Sequence, residues 1–263
     1  MSTILITGAT SGLGRHVAFE LVRSGHVVLA HGRDRGRTEA LVEELRAEGE
    51  AAGFVADLAS LAEVRELGAR VAEARPDLDV LINNAGVGAG SPGAGRELST
   101  DGHELRLAVN YLAPVVLTRA LLPTLRANTP SRIVNVGSVG QEPLPFDDPE
   151  FTRGYAGFAA YCRAKFALAA HTFALAEELA GTGVSVNVLH PATFMDTAMV
   201  REGGVAPWST VADGAPGVLA LATRDLGTGG YFDGTSPARA HEAAYDEVVQ
   251  KRLLTVTDQL IAL

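Results

Sequence analysis

The sequence predicts an α/β fold, a doubly wound parallel sheet of about seven strands with helices on both faces. Short apolar runs rich in β-branched residues alternate with longer segments of helical periodicity almost to the end of the chain. Such alternation is typical of β-α-β units, whose strands are buried on both faces. No repeat, linker or low-complexity tract divides the 263 residues, so we expect one domain, residues 1–263.

The predicted elements follow this pattern in chain order. Strands are expected at residues 4–7, 27–31, 51–56, 80–83, 132–136, 184–189 and 230–232. The first helix starts after Ser11 and ends at Arg23, the fourth covers residues 100–126 and the fifth residues 157–179. Residues 238–263 carry an apolar stripe at helical spacing, so the last segment is predicted to be helical.

Two stretches break the rhythm of strands and helices. Residues 87–98 are rich in glycine, and residues 139–156 contain three prolines and the acidic turn Phe146-Asp147-Asp148. Both follow predicted strands, and open α/β sheets bind ligands beyond the carboxyl ends of their strands. We therefore expect both stretches to lie beside a binding site.

The composition excludes several classes of function. Thirty-one acidic residues against 22 basic ones give a net charge of -9, which disfavours binding to nucleic acid or to an anionic membrane. No run approaches 18 consecutive apolar residues, so no membrane span is expected. The single cysteine, Cys162, excludes an intramolecular disulfide, and no Cys/His cluster has zinc-site spacing, so no metal is predicted. These features predict a cytoplasmic protein.

The first predicted strand runs into the glycine-rich turn Thr7-Gly8-Ala9-Thr10-Ser11-Gly12-Leu13-Gly14, which opens directly into a helix. Glycine permits positive φ and close approach of the backbone, and the N–H groups and dipole at a helix N-terminus attract a pyrophosphate. The alternative is a tight strand-to-helix connection with no ligand. We predict a nucleotide site formed by Gly8, Thr10, Ser11, Gly12, Leu13 and Gly14.

The end of the second strand indicates which dinucleotide is bound. An acidic residue there would hydrogen-bond the ribose 2'-hydroxyl, whereas an arginine attracts a 2'-phosphate. Gly32 stands where the acid is expected, and Arg33 follows it. This arrangement predicts NADP(H) in preference to NAD(H). The alternative is that Arg33 and Arg35 simply begin a solvated helix.

Two further strand ends are predicted to face the cofactor. The fourth strand ends in Asn83-Asn84-Ala85-Gly86, and Asn84, Ala85 and Gly86 are small or polar enough to lie against a ligand. Asp57 and Leu58 end the third strand and are predicted to face an adenine. A strand-terminating turn, and a helix N-cap at Asp57, would explain the same residues without a ligand.

Tyr161 and Lys165 are four positions apart on the predicted fifth helix and so share one helical face. A cation beside a phenol favours its ionised form and lowers a pKa that is otherwise about 10. The pair therefore suits proton exchange near neutral pH. The alternative is a half-buried tyrosine and an amphipathic lysine without a chemical role.

Two polar residues stand in otherwise apolar surroundings near this pair. Ser138 follows the fifth predicted strand, and Asn110 interrupts an apolar helix. Pro114, four positions after Asn110, lacks the N–H that would bond the Asn110 carbonyl. That carbonyl is predicted to hold a water that extends a proton chain to Lys165. An ordinary proline kink is the alternative.

The chain resembles the short-chain dehydrogenase/reductase family over essentially its whole length. The motifs that carry the resemblance are residues 7–14 and 83–86, Asn110, Ser138, Tyr161 and Lys165. It implies a Rossmann-type domain whose cofactor half covers residues 1–137. It further implies that Tyr161 is the acid/base, that Ser138 polarises a substrate carbonyl, and that Asn110 anchors the relay water. Tyr161 and Lys165 would also contact the cofactor, with Lys165 holding the nicotinamide ribose.

The spacing of 23 residues between Ser138 and Tyr161 is longer than in many bacterial members of the family. In this respect the chain is similar to the retinol dehydrogenase and protochlorophyllide reductase branch. That similarity implies a wide apolar substrate pocket formed with the loop of residues 139–156. Its aromatic residues either line the pocket or pack as core beneath the loop: Phe146, Phe151, Tyr155 and Phe158.

The segment after the sixth strand departs from the family pattern. The family has Pro-Gly and then a threonine four residues after the glycine, whereas here Pro191-Ala192 leads to Thr197, one residue late. Pro191 and Thr193 are predicted to contact the cofactor, although Thr193, Phe194 and Thr197 are all open as partners of its carboxamide. Residues 190–207 form a substrate loop, and residues 195–207 are predicted to be a mobile lid.

Other functions and the biological setting stay open at this point. The same fold supports non-redox chemistry, such as dehydration or epimerisation with a retained cofactor, and non-catalytic nucleotide sensors. The habit of the family implies a homo-oligomer, a dimer or a tetramer, built on the fourth and fifth helices. The composition, poor in lysine and rich in alanine and arginine, suggests a GC-rich bacterial genome and a role in secondary metabolism.

Overall fold

The computed structural model describes residues 1–262 and arranges them around one eight-stranded sheet of order β3-β2-β1-β4-β5-β6-β7-β8. Strands β1 to β7 are parallel, and β8 is antiparallel to β7. The predicted doubly wound parallel sheet is confirmed. The strands are β1 Thr3–Ile6, β2 Val27–Gly32, β3 Ala51–Val55, β4 Val80–Asn83, β5 Ser131–Val136, β6 Val184–His190, β7 Tyr231–Asp233 and β8 Ser236–Ala238.

The prediction of about seven strands omits β8. This strand has the sequence Ser-Pro-Ala, is exposed along its length and pairs only with β7, with Phe232 opposite Pro237. A short exposed edge strand needs no apolar or β-branched residues, and proline is tolerated at an edge. The composition of β8 therefore carries no strand signal.

Helices cover both faces of the sheet, as predicted. They are α1 Gly12–Arg23, α2 Arg35–Arg46, α3 Leu61–Ala74, α4 Leu105–Leu107, α5 Ala113–Ala127, α6 Gly157–Glu178, α7 Ala198–Glu202, α8 Val211–Thr223 and α9 Glu247–Ile261. A π-helical turn, Ala108–Leu112, joins α4 to α5, and a 3-10 turn, Glu242–Tyr245, precedes α9. Side chains fix several of the starts. Asp34 caps α2 by accepting the Arg37 N–H at 2.8 Å, and Ser60 caps α3.

Alternation along the strands divides the interior into two cores. Leu5 of β1 faces a core shared with α3, α5, α6 and α9, whereas its neighbours Ile4 and Ile6 face a core shared with α1, α2 and α8. Successive strand side chains point to opposite faces. This geometry explains why the central strands are apolar at every position, and it brings the carboxyl ends of β1, β4 and β5 to one edge.

The predicted fourth helix, residues 100–126, starts later and is interrupted. Gly102 has φ +86° in a turn that is closed by hydrogen bonds between Ser99 and His103, so helical structure begins at Leu105. The π-helical turn that follows contains Asn110 and ends just before Pro114. The combined helical stretch Leu105–Ala127 is long and apolar enough to cross a bilayer, but most of it is buried in the interior, which makes it weak support for a membrane span.

The C-terminal segment is only partly the helix predicted for residues 238–263. Ala238 belongs to β8, residues 242–245 form the 3-10 turn, and α9 begins at Glu247. Asp246 caps α9 by accepting the Val248 N–H at 2.8 Å, which sets this later start. Leu263, the last residue of the predicted helix, lies outside the described residues.

Candidate active site

The glycine-rich turn after β1 has no room for side chains at its glycine positions Gly8 and Gly14. Gly8 and Gly12 have positive φ values of 68° and 53°. A Cβ on Gly8 would lie 2.8 Å from the Ala85 Cα, and a Cβ on Gly14 would lie 2.4 Å from both the Asn84 Nδ2 and the Gly8 carbonyl oxygen. The backbone of the turn is therefore packed directly against the end of β4, and only glycine satisfies both the dihedral angles and the space.

No side chain caps the N-terminus of α1. Ser11 is the N-cap residue, but its side chain makes no capping hydrogen bond. The N–H groups of a first helical turn attract an anion when no side chain caps them. With the bare glycine backbone beside it, this terminus fits the pyrophosphate of a dinucleotide. Thr10, Ser11 and Leu13 lie on the same turn.

A buried histidine, His31, hydrogen-bonds the glycine turn, and the sequence did not predict this contact. His31 on β2 places one ring nitrogen 3.1 Å from the Ala56 carbonyl oxygen, so the other can accept the Gly8 N–H at 3.3 Å. Burial lowers the pKa of His31 to about 4, which keeps the ring neutral and able to accept. His31 thus links the glycine turn to β2 and to the end of β3.

Near the end of β2, Arg33 and Arg37 have different surroundings. A Cβ on Gly32 would lie 2.4 Å from the side chains of Thr10 and Thr38, so an acidic residue does not fit there. Arg33 is exposed beside it. Arg37, which the sequence reasoning missed, extends from the first turn of α2 and donates to the Thr10 carbonyl at 3.4 Å. The sequence feature that could have identified Arg37 is its position four residues after Arg33.

The end of β4 is bonded to the glycine turn. Asn84 Nδ2 donates to the Thr7 carbonyl at 2.8 Å, and the Thr7 hydroxyl accepts the N–H groups of Asn84 and Ala85 at 3.0 Å. At the end of β3, Asp57 accepts the Ala59 N–H and Leu58 is buried, while Ser60 rather than Asp57 caps α3. The structure thus brings the predicted residues of β1 and β4 into contact.

The residues proposed for catalysis lie at the carboxyl ends of two neighbouring strands, β4 and β5. Asn110 is fully buried, and its amide bonds the N–H and carbonyl of Val87, directly after Gly86. Its place in a π-helical turn accords with the frequent occurrence of such turns at functional sites. Arg106, one turn earlier and equally buried, donates to the Gly88 carbonyl at 3.0 Å. Two side chains from one helical stretch therefore fix the segment that follows β4.

Lys165 lies beneath Tyr161 rather than beside its hydroxyl. The Lys165 ammonium is buried, donates to the Val136 carbonyl of β5 at 2.7 Å and lies 5.9 Å from the centre of the Tyr161 ring. Burial lowers the pKa of Lys165 to about 8. Burial also raises the pKa of Tyr161, and a hydrogen bond with Ser138 acts against this increase.

The expected lowering of the Tyr161 pKa by Lys165 is therefore not seen in this structure. The ammonium charge is directed at the Val136 carbonyl, and desolvation of the phenol dominates. The sequence gives the helical spacing of the two side chains but not the depth at which either is buried. A phenol with a raised pKa is protonated at neutral pH.

The segment after β6 crosses the mouth of the site. Pro191 is buried, and the Thr193 hydroxyl is held 3.0 Å from the His190 Nε2. Thr197 is the N-cap of α7, and its methyl group lies 3.2 Å from where a Cβ on Gly12 would be. Thr197 thus adjoins the glycine turn. The terminal methyl of Met199 lies near Gly86, so α7 and its N-cap adjoin both the glycine turn and the end of β4.

The aromatic residues before α6 mostly pack into the protein. Phe151 is fully buried, Phe146 packs on the core beneath Arg252, and the Tyr155 hydroxyl donates to the buried Glu104 at 2.9 Å. Phe158 is 63% exposed. The sequence allowed these aromatic residues either to line a pocket or to pack as core beneath the loop. Phe146, Phe151 and Tyr155 pack as core. Among residues 1–262, no group of three or more His, Cys, Asp or Glu side chains is placed to hold a metal ion.

This arrangement of motifs has a counterpart among known proteins. The family model for short chain dehydrogenases matches residues 2–205. The chain belongs to the short-chain dehydrogenase family. Human retinol dehydrogenase 13 is 34% identical over 284 aligned residues, which cover 99% of this chain and 85% of the relative. The predicted similarity to the retinol dehydrogenase branch is thereby confirmed.

Solved structures have the same fold as this chain. An uncharacterised protein from Mycobacterium paratuberculosis aligns with a TM-score of 0.83 and 30% identity over 100% of this chain and 94% of its own. The Pseudomonas aeruginosa RhlG/NADP active-site complex aligns with a TM-score of 0.73 and 28% identity over 88% of this chain and 94% of its own. A nicotinamide cofactor and oxidoreductase activity follow from membership of the family.

The family leaves the biological setting open. The bacterial source and the role in secondary metabolism, both inferred from composition, stay predictions, since the relatives at this similarity include a human protein. Cytoplasmic localisation likewise stays a prediction. The face of α5 and α6, where an oligomer is expected, is packed against the C-terminal segment of the same chain. Phe173 stacks on Tyr245 of the 3-10 turn, and Arg119 forms a salt bridge with Asp258 of α9.

Proposed function

We propose that the protein is an NADP(H)-dependent carbonyl reductase or alcohol dehydrogenase in which Tyr161 is the general acid/base. The observation that carries this proposal is the convergence of Asn110, Ser138, Tyr161 and Lys165 on the carboxyl ends of β4 and β5, next to the glycine turn. When bound, the cofactor supplies or accepts the hydride. Every other part of the reaction falls to residues of this chain.

The cofactor would be held along the edge of the sheet. The glycine turn and the N-terminus of α1 would bind its pyrophosphate, Asp57 and Leu58 would face its adenine, and Asn84 to Gly86 would lie along its length. Lys165 and Tyr161 would bind the nicotinamide ribose. Pro191 and Thr193 would also contact the cofactor. Thr193, Phe194 and Thr197 are the candidates for its carboxamide, and the position of Thr197 against Gly12 favours Thr197 as a further partner of the cofactor.

Preference for NADP(H) is supported by charge and by space. Arg33 and Arg37 present two guanidinium groups at the end of β2, and Gly32 leaves no room for the acid that would bind a 2'-hydroxyl. Guanidinium groups bind phosphate through charge-assisted hydrogen bonds. The NADP complex of the RhlG protein lends further support, because that protein shares the fold of this chain.

Proton transfer is assigned to Tyr161, with Ser138 as its partner. Burial raises the pKa of Tyr161, so at neutral pH the phenol carries the proton that reduction of a carbonyl requires. The hydroxyls of Ser138 and Tyr161 would both hydrogen-bond the substrate oxygen and stabilise it as it gains charge. Lys165, with a pKa near 8, would return a proton to Tyr161 through the water predicted at the Asn110 carbonyl.

The proposed substrate is an apolar carbonyl compound or the matching secondary alcohol. Apolar side chains stand exposed around the entrance, Val139 and Phe158 at 63% each and Met199 at 36%. The relationship to retinol dehydrogenases supports a large apolar substrate. The segment 195–207, which includes α7, would act as the lid. Residues 1–137 would form the cofactor half of a single domain, and the loops at 139–156 and 190–207 the substrate side.

Cofactor consumption tests the proposal. Purified protein is incubated with NADPH or NADH and a panel of aliphatic, aromatic, polycyclic and retinoid aldehydes and ketones. We expect oxidation of NADPH, faster than that of NADH, with the apolar members of the panel. Conversion of a substrate without net loss of cofactor would instead indicate non-redox chemistry, and cofactor binding without any conversion would indicate a sensor. Size-exclusion chromatography of the same sample tests the predicted dimer or tetramer.

A further inference from the structure

The main-chain carbonyl of Ser138 accepts two side-chain hydrogen bonds. Tyr231 Oη donates to it at 3.0 Å, and Gln141 Nε2 donates to it at 2.9 Å. Tyr231 belongs to β7 and is 5% exposed, so its phenol is held within the protein interior. A carbonyl oxygen has two lone pairs, and these two donors use both.

These bonds hold the short loop that presents the Ser138 hydroxyl. Within the loop, Ser138 Oγ accepts the Gly140 N–H at 3.1 Å. The oxygen thus accepts the Gly140 N–H with one lone pair, and its hydrogen remains available to Tyr161 and to the substrate oxygen that the proposed function places beside it. Rotation of the Ser138 peptide would displace this hydroxyl from both.

The loop is also fastened at its other end. The Glu142 N–H donates to the Cys162 carbonyl at 3.3 Å, directly after Tyr161 on α6. Gln141 in turn accepts the His241 N–H at 3.0 Å, from the chain beyond β8. Hydrogen bonds from Tyr231 and from the C-terminal segment therefore hold the loop beside α6, the helix that carries Tyr161.

We infer that Tyr231 is a positioning residue for Ser138, which it orients through the Ser138 carbonyl. The inference rests on the proposed function, since it concerns the hydroxyl that is assigned to the substrate oxygen. Removing the phenol hydroxyl leaves Gln141 as the single side-chain donor to that carbonyl. The loop then samples orientations in which Ser138 no longer meets the reacting oxygen, while the glycine turn keeps its own contacts.

The effect of Tyr231→Phe is measured in two backgrounds. In the otherwise unchanged protein we expect kcat to fall about five- to tenfold, with KM for NADPH unchanged. In the Ser138→Ala background we expect no further fall, because two residues that act through one contact do not add. The matched control is Tyr245→Phe, which removes a hydroxyl bonded to the Ala240 N–H and has no contact with Ser138. The inference would be overturned if Tyr231→Phe lowers kcat equally in the unchanged and the Ser138→Ala proteins. It would also be overturned if Tyr245→Phe lowers kcat as much as Tyr231→Phe does.

A measurement without turnover separates this inference from the proposed function. Hydrogen exchange at the Gly140 amide reports its bond to Ser138 Oγ, and we expect Tyr231→Phe to accelerate it at least fivefold while Tyr245→Phe leaves it unchanged. Unaltered Gly140 exchange in Tyr231→Phe would overturn the positioning role, whatever the activity. A protein that turns over no carbonyl while this exchange responds would instead contradict the proposed function alone.

Discussion

The side chain of Asn110 satisfies both polar backbone groups of Val87. Its Oδ1 accepts the Val87 N–H at 2.8 Å, and its Nδ2 donates to the Val87 carbonyl at 2.9 Å. Asn110, which lies on a helix, thus makes the two hydrogen bonds to the Val87 backbone that a neighbouring strand would otherwise make. Because Gly86 precedes Val87, the same bonds fix one wall of the proposed cofactor site.

Asn110→Ala should impair both stability and activity. Two partly buried backbone groups of Val87 lose their partners, which costs up to about 1–3 kcal/mol for each group left unsatisfied. We expect a lower Tm and a fall in kcat/KM of at least tenfold. Asn128→Ala serves as the control, because the Asn128 side chain also makes two hydrogen bonds to the backbone, both donated to carbonyls, but lies at the far end of α5. If Asn128→Ala loses as much activity, the loss in Asn110→Ala comes from reduced stability and not from damage to the proposed cofactor site.

Arg33→Ala and Arg37→Ala should each weaken NADPH binding selectively. Loss of one charge-assisted hydrogen bond, about 1.5–3 kcal/mol, corresponds to at least a tenfold rise in Kd. NADH lacks the 2'-phosphate, so its Kd should change little. Arg35→Ala is the matched control, since Arg35 is paired with Glu39 on the same exposed turn. Equal losses for the two cofactors, measured by fluorescence titration, would mean that neither arginine meets the phosphate.

Gly14→Ala should abolish tight cofactor binding. The added methyl would lie 2.4 Å from the Asn84 Nδ2 and the Gly8 carbonyl, which forces the glycine turn away from β4. We expect at least a tenfold rise in Kd for NADPH by calorimetry, together with a lower Tm. Gly95→Ala, where a methyl meets nothing within 4 Å, should bind NADPH normally. Wild-type affinity in Gly14→Ala would contradict the assignment of the turn.

The sequence predicted the parallel sheet and its central strands because burial on both faces leaves an unambiguous apolar pattern. It missed β8, whose exposed Ser-Pro-Ala composition depends only on pairing with β7. The late start of helical structure at Leu105 was missed for a related reason. The turn at Gly102 is closed by contacts across several residues rather than by a local break in apolar periodicity.

Within the site, the sequence identified residues by motif and spacing but not their depth or partners. Asn84, predicted to lie against the cofactor, bonds the Thr7 carbonyl with its side chain. Lys165 is directed at the Val136 carbonyl, a contact between α6 and β5 that spacing along one helix does not specify. His31, Arg37 and Tyr231 carry no motif, since their contacts with Gly8, Thr10 and Ser138 arise only when the strands assemble.

Stability should fall as the pH drops from about 6.5 to 4. Burial lowers the pKa of His31 and of His171 to about 4, so the unfolded chain takes up protons in this range that the folded chain does not. Each histidine then removes up to about 3 kcal/mol from the free energy of unfolding. Both side chains are buried, so solvent screens this effect little.

His171→Leu should reduce this acid sensitivity by about half, because one of two equivalent groups is lost. The Nδ1 of His171 has no hydrogen-bond partner among the described residues, so leucine removes no bond at that atom. Urea unfolding at pH 7 and pH 4.5 measures the difference. His16→Gln, on the half-buried face of α1, is the control and should follow the unchanged protein. A His171→Leu protein with full acid sensitivity would contradict the assignment.

The most direct test of the account compares Tyr161→Phe with the unchanged protein in NADPH oxidation and in NADPH binding. The substitution removes only the phenol hydroxyl, so the glycine turn, Lys165 and the fold stay in place. We expect Kd for NADPH to change less than threefold and kcat to fall at least a thousandfold, the scale expected when proton transfer and a hydrogen bond to the oxyanion are both lost. A Tyr161→Phe protein that retains more than a tenth of the activity would contradict the assignment of Tyr161 as the acid/base.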